Sequence, residues 1–255
     1  TRIRHELKKR SLNADKQAKE ISQEPTTIFD KEWQNIIILD ACRYDLYQEV
    51  VGQGKPRVSS GSGTVEFFEK NFSSKDFKDV VYISANPNIN DRIFSEHVGC
   101  KAEEIFECVY ETYDTDWNSE KKTVMPESVV RDALSAEKVF PDKRKIIHFM
   151  QPHHPFVEAD FEEPGFRDSF IPGADYDTIW DLAQKEEVNH RGVREAYREN
   201  LEFVMPFVKD LASQLSGKTV VTSDHGKFVG EGGIYGHETG SEYEALRKVP
   251  WHVIE

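Results

Sequence analysis

The chain reads as an α/β protein with a doubly wound, mostly parallel sheet and helices on both faces. Three observations carry that reading. Apolar, β-branched runs recur without polar alternation at 35–39, 80–84, 145–150 and 219–221, the pattern of strands covered on both faces. Between them lie stretches with apolar residues three and four apart, the period of a helix packed on a sheet. Two of the runs end in metal-seeking side chains, Asp40 after one and Asp224-His225 after another. An open α/β sheet places its chemistry at the carboxyl ends of its strands.

With 255 residues the chain can bury a sizeable core in one domain. A hydrophobic fraction of 38% and a mean hydropathy of −0.64 mark it as polar for its size. No run approaches the roughly 18 apolar residues of a membrane span, and the first ten residues lack the apolar centre of a signal peptide. The formal charge of −13 argues against a nucleic-acid partner, which clustered Lys and Arg would hold. Cys42, Cys100 and Cys108 are too few and too scattered for a disulfide framework or a zinc ribbon, so a reducing, cytoplasmic location is expected.

In chain order, residues 1–24 are polar and locally basic and read as an exposed helix or arm outside the core, leaving 25–255 as the catalytic domain. The run 35–39 is the expected central strand, stopping at Asp40 and followed by Arg43 and Asp45. Ser59, Ser60, Gly61, Ser62, Gly63 and Thr64 then lead into a helix over about 65–72, and a helix N-terminus can cradle an anion. By itself the same stretch also reads as a flexible Ser/Gly loop. A strand at 80–84, an edge strand at 105–110 and a helix opening at Pro126 and running through about Leu134 follow. The strand at 145–150 delivers His153 and His154 between Pro152 and Pro155. The acidic segment 157–190, with Pro164 and Pro172, is expected as a loop or lid. Apolar residues from Val193 to Leu211 predict an amphipathic helix over 191–215, kinked or broken at Pro206. The strand ending at Asp224-His225 comes next, then a glycine-rich turn at 230–233, His237, and a turn of helix with a last strand within 243–254.

A carboxylate beside an imidazole offers a hard oxygen and a borderline nitrogen, which suits zinc, manganese or a similar divalent ion. An Asp turn with a capping histidine is the plainer alternative for the Asp224-His225 pair. Of the adjacent histidines, one is expected to support the other.

Several motifs, in order, resemble those of the alkaline phosphatase superfamily, especially its sulfatase-like branch, from about Asn35 to the end. Asp40-Ala41-Cys42-Arg43-Tyr44-Asp45 resembles the first D-x-x-R-x-D motif. Gly61-Ser62-Gly63-Thr64-Val65-Glu66-Phe67 is similar to the nucleophile segment, most closely that of lipoteichoic-acid synthases. Pro152-His153-His154-Pro155 resembles the P-H-x-P that binds the substrate's anionic group. Ser223-Asp224-His225-Gly226, Gly236-His237 and the stretch from Tyr243 to Pro250 resemble the closing metal motif and a Y-E-x-x-L-R-V-P run.

The resemblance implies an alkaline phosphatase-like fold, Asp40, Asp224 and His225 as metal ligands, and Thr64 as nucleophile with Ser62 the alternative. It implies that His153, or His154 in its place, contacts the transferred group. His237 would bind substrate or a second metal, and Arg43 would pair with a carboxylate or reach an oxyanion. The expected cofactor is one divalent ion, zinc or manganese, because two-metal members carry an Asp and a His four residues apart where this chain has His153 and Val157. A formylglycine context, C/S-x-P-x-R, is absent, which weighs against sulfate ester hydrolysis. The implied function is a metal-dependent hydrolase or transferase of small-molecule, lipid-linked or glycan-linked phosphoric esters. A sulfuric-ester or phosphonate hydrolase, or an inactive metal-binding scaffold, are the competing readings.

Overall fold

The structure, a computed structural model, describes residues 19–73, 76–159, 178–188 and 190–254. Seven strands form one sheet: β1 (Asn35–Leu39), β2 (Lys55–Val58), β3 (Phe77–Ser84), β4 (Phe106–Tyr110), β5 (Arg144–Phe149), β6 (Thr219–Thr222) and β7 (Lys248–Ile254), in the spatial order β2-β7-β6-β1-β5-β3-β4. The pairs β6/β1, β1/β5, β5/β3 and β3/β4 are parallel. Only β7 runs against its neighbours β2 and β6. All five residues of β1 are buried, as its lack of alternation requires of a strand in the middle of a sheet.

The α-helices longer than a single turn are α1 (Tyr44–Val50), α2 (Thr64–Phe72), α3 (Asp91–Val98), α4 (Pro126–Val139), α5 (Ile179–Gln184) and α6 (His190–Gln214). They cover both faces, and the period of two along each strand decides which. Ile37, Leu39, Val81, Ile83, Ile147, Phe149 and Val221 point to the side of α4 and α6, against Val129, Ala133, Leu201, Val204 and Val208. Ile36, Ile38, Val80, Tyr82, Ile146 and Val220 point to the other side, against Phe67, Phe68, Phe72 and Phe94 of α2 and α3. Every strand that this sheet needs to carry the site therefore presents its carboxyl end on one edge.

The strands expected at 35–39, 80–84, 105–110, 145–150 and 219–221 are present within a few residues of their predicted bounds, and β4 does lie at an edge. Among these strands and helices four are unanticipated: β2, α1, α3 and α5, the last in a segment expected as a loop or lid. The helix opening at Pro126 extends to Val139, and α6 continues through Pro206 without ending there. Of the 1–24 arm, residues 1–18 lie outside the described residues; Glu20 forms an isolated antiparallel bridge with Tyr243 and is exposed. Of the 157–190 segment, residues 160–177 and 189 lie outside the described residues. Its later part includes α5.

Candidate active site

Four strand ends meet at one polar centre. Asp40 follows β1, His148 is the fifth residue of β5, Asn86 follows β3, and Asp224 and His225 follow β6; all five are 0–1% exposed. His148 repeats the parity of Ile146, so its ring lies on the α2 side of the sheet, where Thr64 opens that helix. The Thr64 hydroxyl donates to Asp224 Oδ2 at 2.7 Å and lies 3.4 Å from His225 Nε2. Asn86 Nδ2 donates to Asp40 Oδ2 and approaches Thr64 Oγ1 at 3.5 Å.

The carboxylates and imidazoles face one another across a small space. His225 Nε2 is 3.7 Å from Asp40 Oδ1 and 3.6 Å from Asp224 Oδ2. His148 Nε2 is 3.5 Å from Asp40 Oδ2 and 3.9 Å from Asp224 Oδ2. Ligand atoms of Asp40, His148 and Asp224 all lie within 4.8 Å of one another. Two of these buried atoms, Asp40 Oδ1 and His148 Nε2, have no hydrogen-bond partner. Such orphaned groups are costly unless something else satisfies them, and a divalent cation does so for both. His225 Nδ1 donates to the Gly226 carbonyl at 2.6 Å, which turns the Nε2 lone pair toward the centre. His148 Nδ1 lies 3.0 Å from the Tyr82 hydroxyl and can be held in the same tautomer. Two carboxylates, two imidazoles and a hydroxyl form a donor set that zinc or manganese accepts. The residues fit the metal.

Electrostatics agree with a site built for a cation. Burial, and next the Asp224 charge, push the Asp40 carboxyl above the ordinary carboxylate range. Burial acts on Asp224 in the same sense, but His225, His148 and hydrogen bonds from Ala41 N and Thr64 hold it below that range. Ala41 itself has φ of +56°, a left-handed conformation that costs a residue with a Cβ roughly 1–2 kcal/mol. The strain aims its N–H at Asp224 Oδ1, 3.0 Å away, and Tyr197 donates its hydroxyl to the Ala41 carbonyl.

The loop that leads into α2 is fixed by a second buried network. Glu66 accepts from Ser62 N and Oγ, both at 2.8 Å, and from Gly240 N at 3.2 Å. Arg247 meets Glu66 Oε1 at 2.9 Å and donates to the carbonyls of Ser60 at 2.9 Å and Ser241 at 2.6 Å. The four hydroxyls of the loop at 59–64 are thereby sorted. Ser62 is committed to Glu66, Ser60 accepts from Asn71, Ser59 donates to the Asp224 carbonyl, and Thr64 is the one set against the Asp224 and His225 side chains. Gly61 is required by close approach, since a Cβ there would stand 2.4 Å from the backbone nitrogen of Phe67. Gly226 answers to the same cause, because its Cβ would meet the Ala245 carbonyl oxygen at 2.2 Å.

His153 and His154 are both buried, with rings stacked at 4.3 Å. His153 Nδ1 donates to the His154 carbonyl and its Nε2 accepts from Lys227 Nζ at 2.7 Å. His154 Nδ1 accepts from the Trp180 indole N–H at 2.8 Å. Burial, with the Lys227 charge next, holds both imidazoles well below the usual histidine pKa. His237 is exposed, its ring centroid 4.6 Å from that of His225. Arg43 sits apart from Thr64: it pairs with Asp45 and Glu231 and donates to the Lys227 carbonyl at 3.1 Å. Sequence reasoning overlooked His148, Asn86, Lys227 and the Glu66–Arg247 pair. A histidine inside an otherwise apolar buried run was the one signal that could have marked His148.

No protein-family model and no curated protein matches the chain. Solved structures do. The soluble domain of lipooligosaccharide phosphoethanolamine transferase A from Neisseria meningitidis superposes with a TM-score of 0.58 at 12% identity, over 93% of this chain and 81% of that one. The C-terminal periplasmic domain of a phosphoethanolamine transferase from Campylobacter jejuni gives 0.53 at 15% identity, over 91% and 83%. A 2-O GAG sulfatase gives 0.51 at 14% identity, over 91% and 64%. The chain spans about half, 49%, of the integral membrane form of the Neisseria enzyme, which it matches with a TM-score of 0.55 at 12% identity over 92% of its own length. Among the described residues no helix is long and apolar enough to cross a membrane. The chain has the fold of these transferase domains and of this sulfatase.

Proposed function

We propose that the chain is a metal-dependent transferase or hydrolase of phosphoric esters that works through Thr64. The observation that carries this reading is the placement of the Thr64 hydroxyl against Asp224 Oδ2 and His225 Nε2, beside the orphaned Asp40 Oδ1 and His148 Nε2. Asp40, Asp224, His225 and His148 would hold one divalent ion, zinc or manganese. When bound, such an ion lowers the pKa of an adjacent hydroxyl and neutralises charge on an ester oxygen.

The rest falls to the chain's own residues. Asp224 Oδ2 orients the Thr64 O–H, and the position at the start of α2, locked by Glu66 and Arg247, holds Oγ1 against Asp224 and His225. Thr64 Oγ1 gives up its proton to solvent and attacks phosphorus as the bond to the leaving oxygen breaks in line, the leaving oxygen taking a proton from solvent in turn. The phosphoryl group is then carried on Thr64 until water or a second alcohol takes it, which makes the same site a hydrolase or a transferase according to the acceptor. Asn86 Nδ2, within reach of Thr64 Oγ1, is a neutral donor for an oxygen of the transferred group.

The substrate class we infer is a phosphate ester of a small alcohol, a lipid or a glycan. The cytoplasm is the compartment expected from the scattered cysteines, whereas the Campylobacter neighbour is a periplasmic domain. Fractionation of cells expressing the full-length gene decides between the two compartments.

A panel of aryl phosphate, phosphodiester, phosphonate and sulfate esters, run with zinc or manganese, tests the chemistry. Thr64→Ala should lower phosphoester turnover about 10³-fold or more while metal content and fold stay unchanged. Turnover retained in that variant would sink the role of Thr64, and preference for the sulfate ester would move the chain to the sulfuric-ester reading. A wild-type chain that binds metal and turns over nothing in the panel would be the scaffold.

A further inference from the structure

We propose that Tyr197 is a positioning residue for the metal centre: its hydroxyl holds Ala41 in a left-handed turn, and that turn sets Asp40 and Asp224 against each other. The inference rests on the metal site of the reading above. Tyr197 belongs to α6, is 1% exposed, and reaches the turn after β1 from the face of the sheet opposite the one α2 covers.

Three residues other than glycine have a positive φ among the described residues: Ala41, Lys122 and Glu186. The last two are exposed, whereas Ala41 is fully buried and adjoins a metal ligand. A conformation of this kind persists only where the surroundings over-determine it, and here they can be named. Asp40 N donates to the Phe149 carbonyl at 3.1 Å, Ala41 N to Asp224 Oδ1 at 3.0 Å, and Cys42 N to Ser223 Oγ at 2.8 Å. One hydroxyl serves the next two groups. Tyr197 donates to the Ala41 carbonyl and accepts from Arg43 N at 3.3 Å, standing between the two groups that a three-residue turn would pair directly.

The turn governs the site because a carboxylate lies on each side of it. The Ala41 N–H that holds Asp224 and the Cα that carries the Asp40 side chain belong to one rigid peptide unit. If φ of Ala41 relaxed to a negative value, that N–H would leave Oδ1 or the Asp40 carboxylate would shift. In either case the ligand atoms of Asp40, His148 and Asp224, now within 4.8 Å of one another, would separate. Both hydrogen bonds of the Tyr197 hydroxyl go to the backbone, so it acts through the turn and touches no ligand side chain.

A double-variant cycle tests this, read as zinc affinity in competition with a chromogenic chelator. Tyr197→Phe removes the hydroxyl alone and should weaken zinc binding at least about tenfold, the effect of losing an outer-shell partner. Ala41→Gly should bind zinc as wild type does, because glycine takes a positive φ without the Cβ penalty. In that background Tyr197→Phe should cost little or nothing, since the turn no longer needs the clamp. Zinc affinity unchanged in Tyr197→Phe, or weakened equally in both backgrounds, overturns the proposal and leaves the metal reading standing. If Tyr197→Phe alone does not fold, recovery of fold and zinc binding on adding Ala41→Gly supports the proposal, and failure to recover overturns it. A wild-type chain that binds no zinc overturns the metal reading and the proposal with it.

Discussion

Replacing Arg247 by Met tests whether the loop that carries Thr64 is held by a buried charge pair. The Arg247 and Glu66 side chains are 7% and 10% exposed, and their closest atoms are 2.9 Å apart. Against burial, the Ser62 and Gly240 hydrogen bonds and the Arg247 charge keep the Glu66 carboxyl below its ordinary pKa. The variant would leave that carboxylate buried without its cation and would free the carbonyls of Ser60 and Ser241. Removing one partner of a buried pair costs about 3–5 kcal/mol. For a chain of this length that corresponds to a melting point lower by roughly 6–20 °C. Because Glu66 lies two residues after Thr64 and anchors Ser62, turnover should also fall by an order of magnitude or more at unchanged metal content. Adding Glu66→Gln should recover part of the loss, with a coupling of roughly 1–3 kcal/mol, since the stranded charge disappears. Urea denaturation and metal-loaded turnover of the two single variants and the double variant measure this. A cost below about 1 kcal/mol, or strictly additive single effects, would refute the account.

Two further outcomes follow from the same geometry. His148→Ala should weaken zinc binding at least about tenfold, and Asp224→Ala/His225→Ala should abolish it, by elemental analysis and competition with a chromogenic chelator; unchanged affinity in the His148 variant would remove that residue from the ligand set. Stability should fall on the acid side of neutrality, because burial keeps His153 and His154 neutral in the fold, below the ordinary value of 6.5. The unfolded chain takes up those protons first, so the stabilisation is complete above about pH 6.5 and is lost as pH falls, by up to ~1.4 kcal/mol per pH unit for each group. Urea midpoints at pH 7.5 and 5 check it, and a midpoint independent of pH in wild type would contradict it.

Much of the architecture was legible because its signals are local. A fully buried parallel strand must be apolar on both faces, so β1 and β6 announce themselves, and so do the acidic residues where they stop. The amphipathic period of α6 is equally plain. Less visible were β2, whose Lys55, Pro56 and Arg57 do not resemble a strand, and the short helices α1 and α3, which gain their stability from packing on the sheet. At the site, Asp40, Asp224, His225 and Thr64 could be singled out as side chains beside strand ends and a Gly/Ser loop. The structure brings those four together.

What the sequence determined, then, is the order of strands and helices and the chemistry offered at each strand end, since both depend on residues within a few positions of one another. Tertiary structure decided the rest. Whether His148 joins the two carboxylates depends on the register of β5 against β1, over a hundred positions away. Which hydroxyl faces Asp224 depends on Glu66 and Arg247 having claimed the loop first. That Lys227 meets His153 depends on two loops coming together across the carboxyl edge of the sheet. Each is a long-range pairing, set by burial and packing of the whole sheet, and leaves no trace in the local pattern of residues.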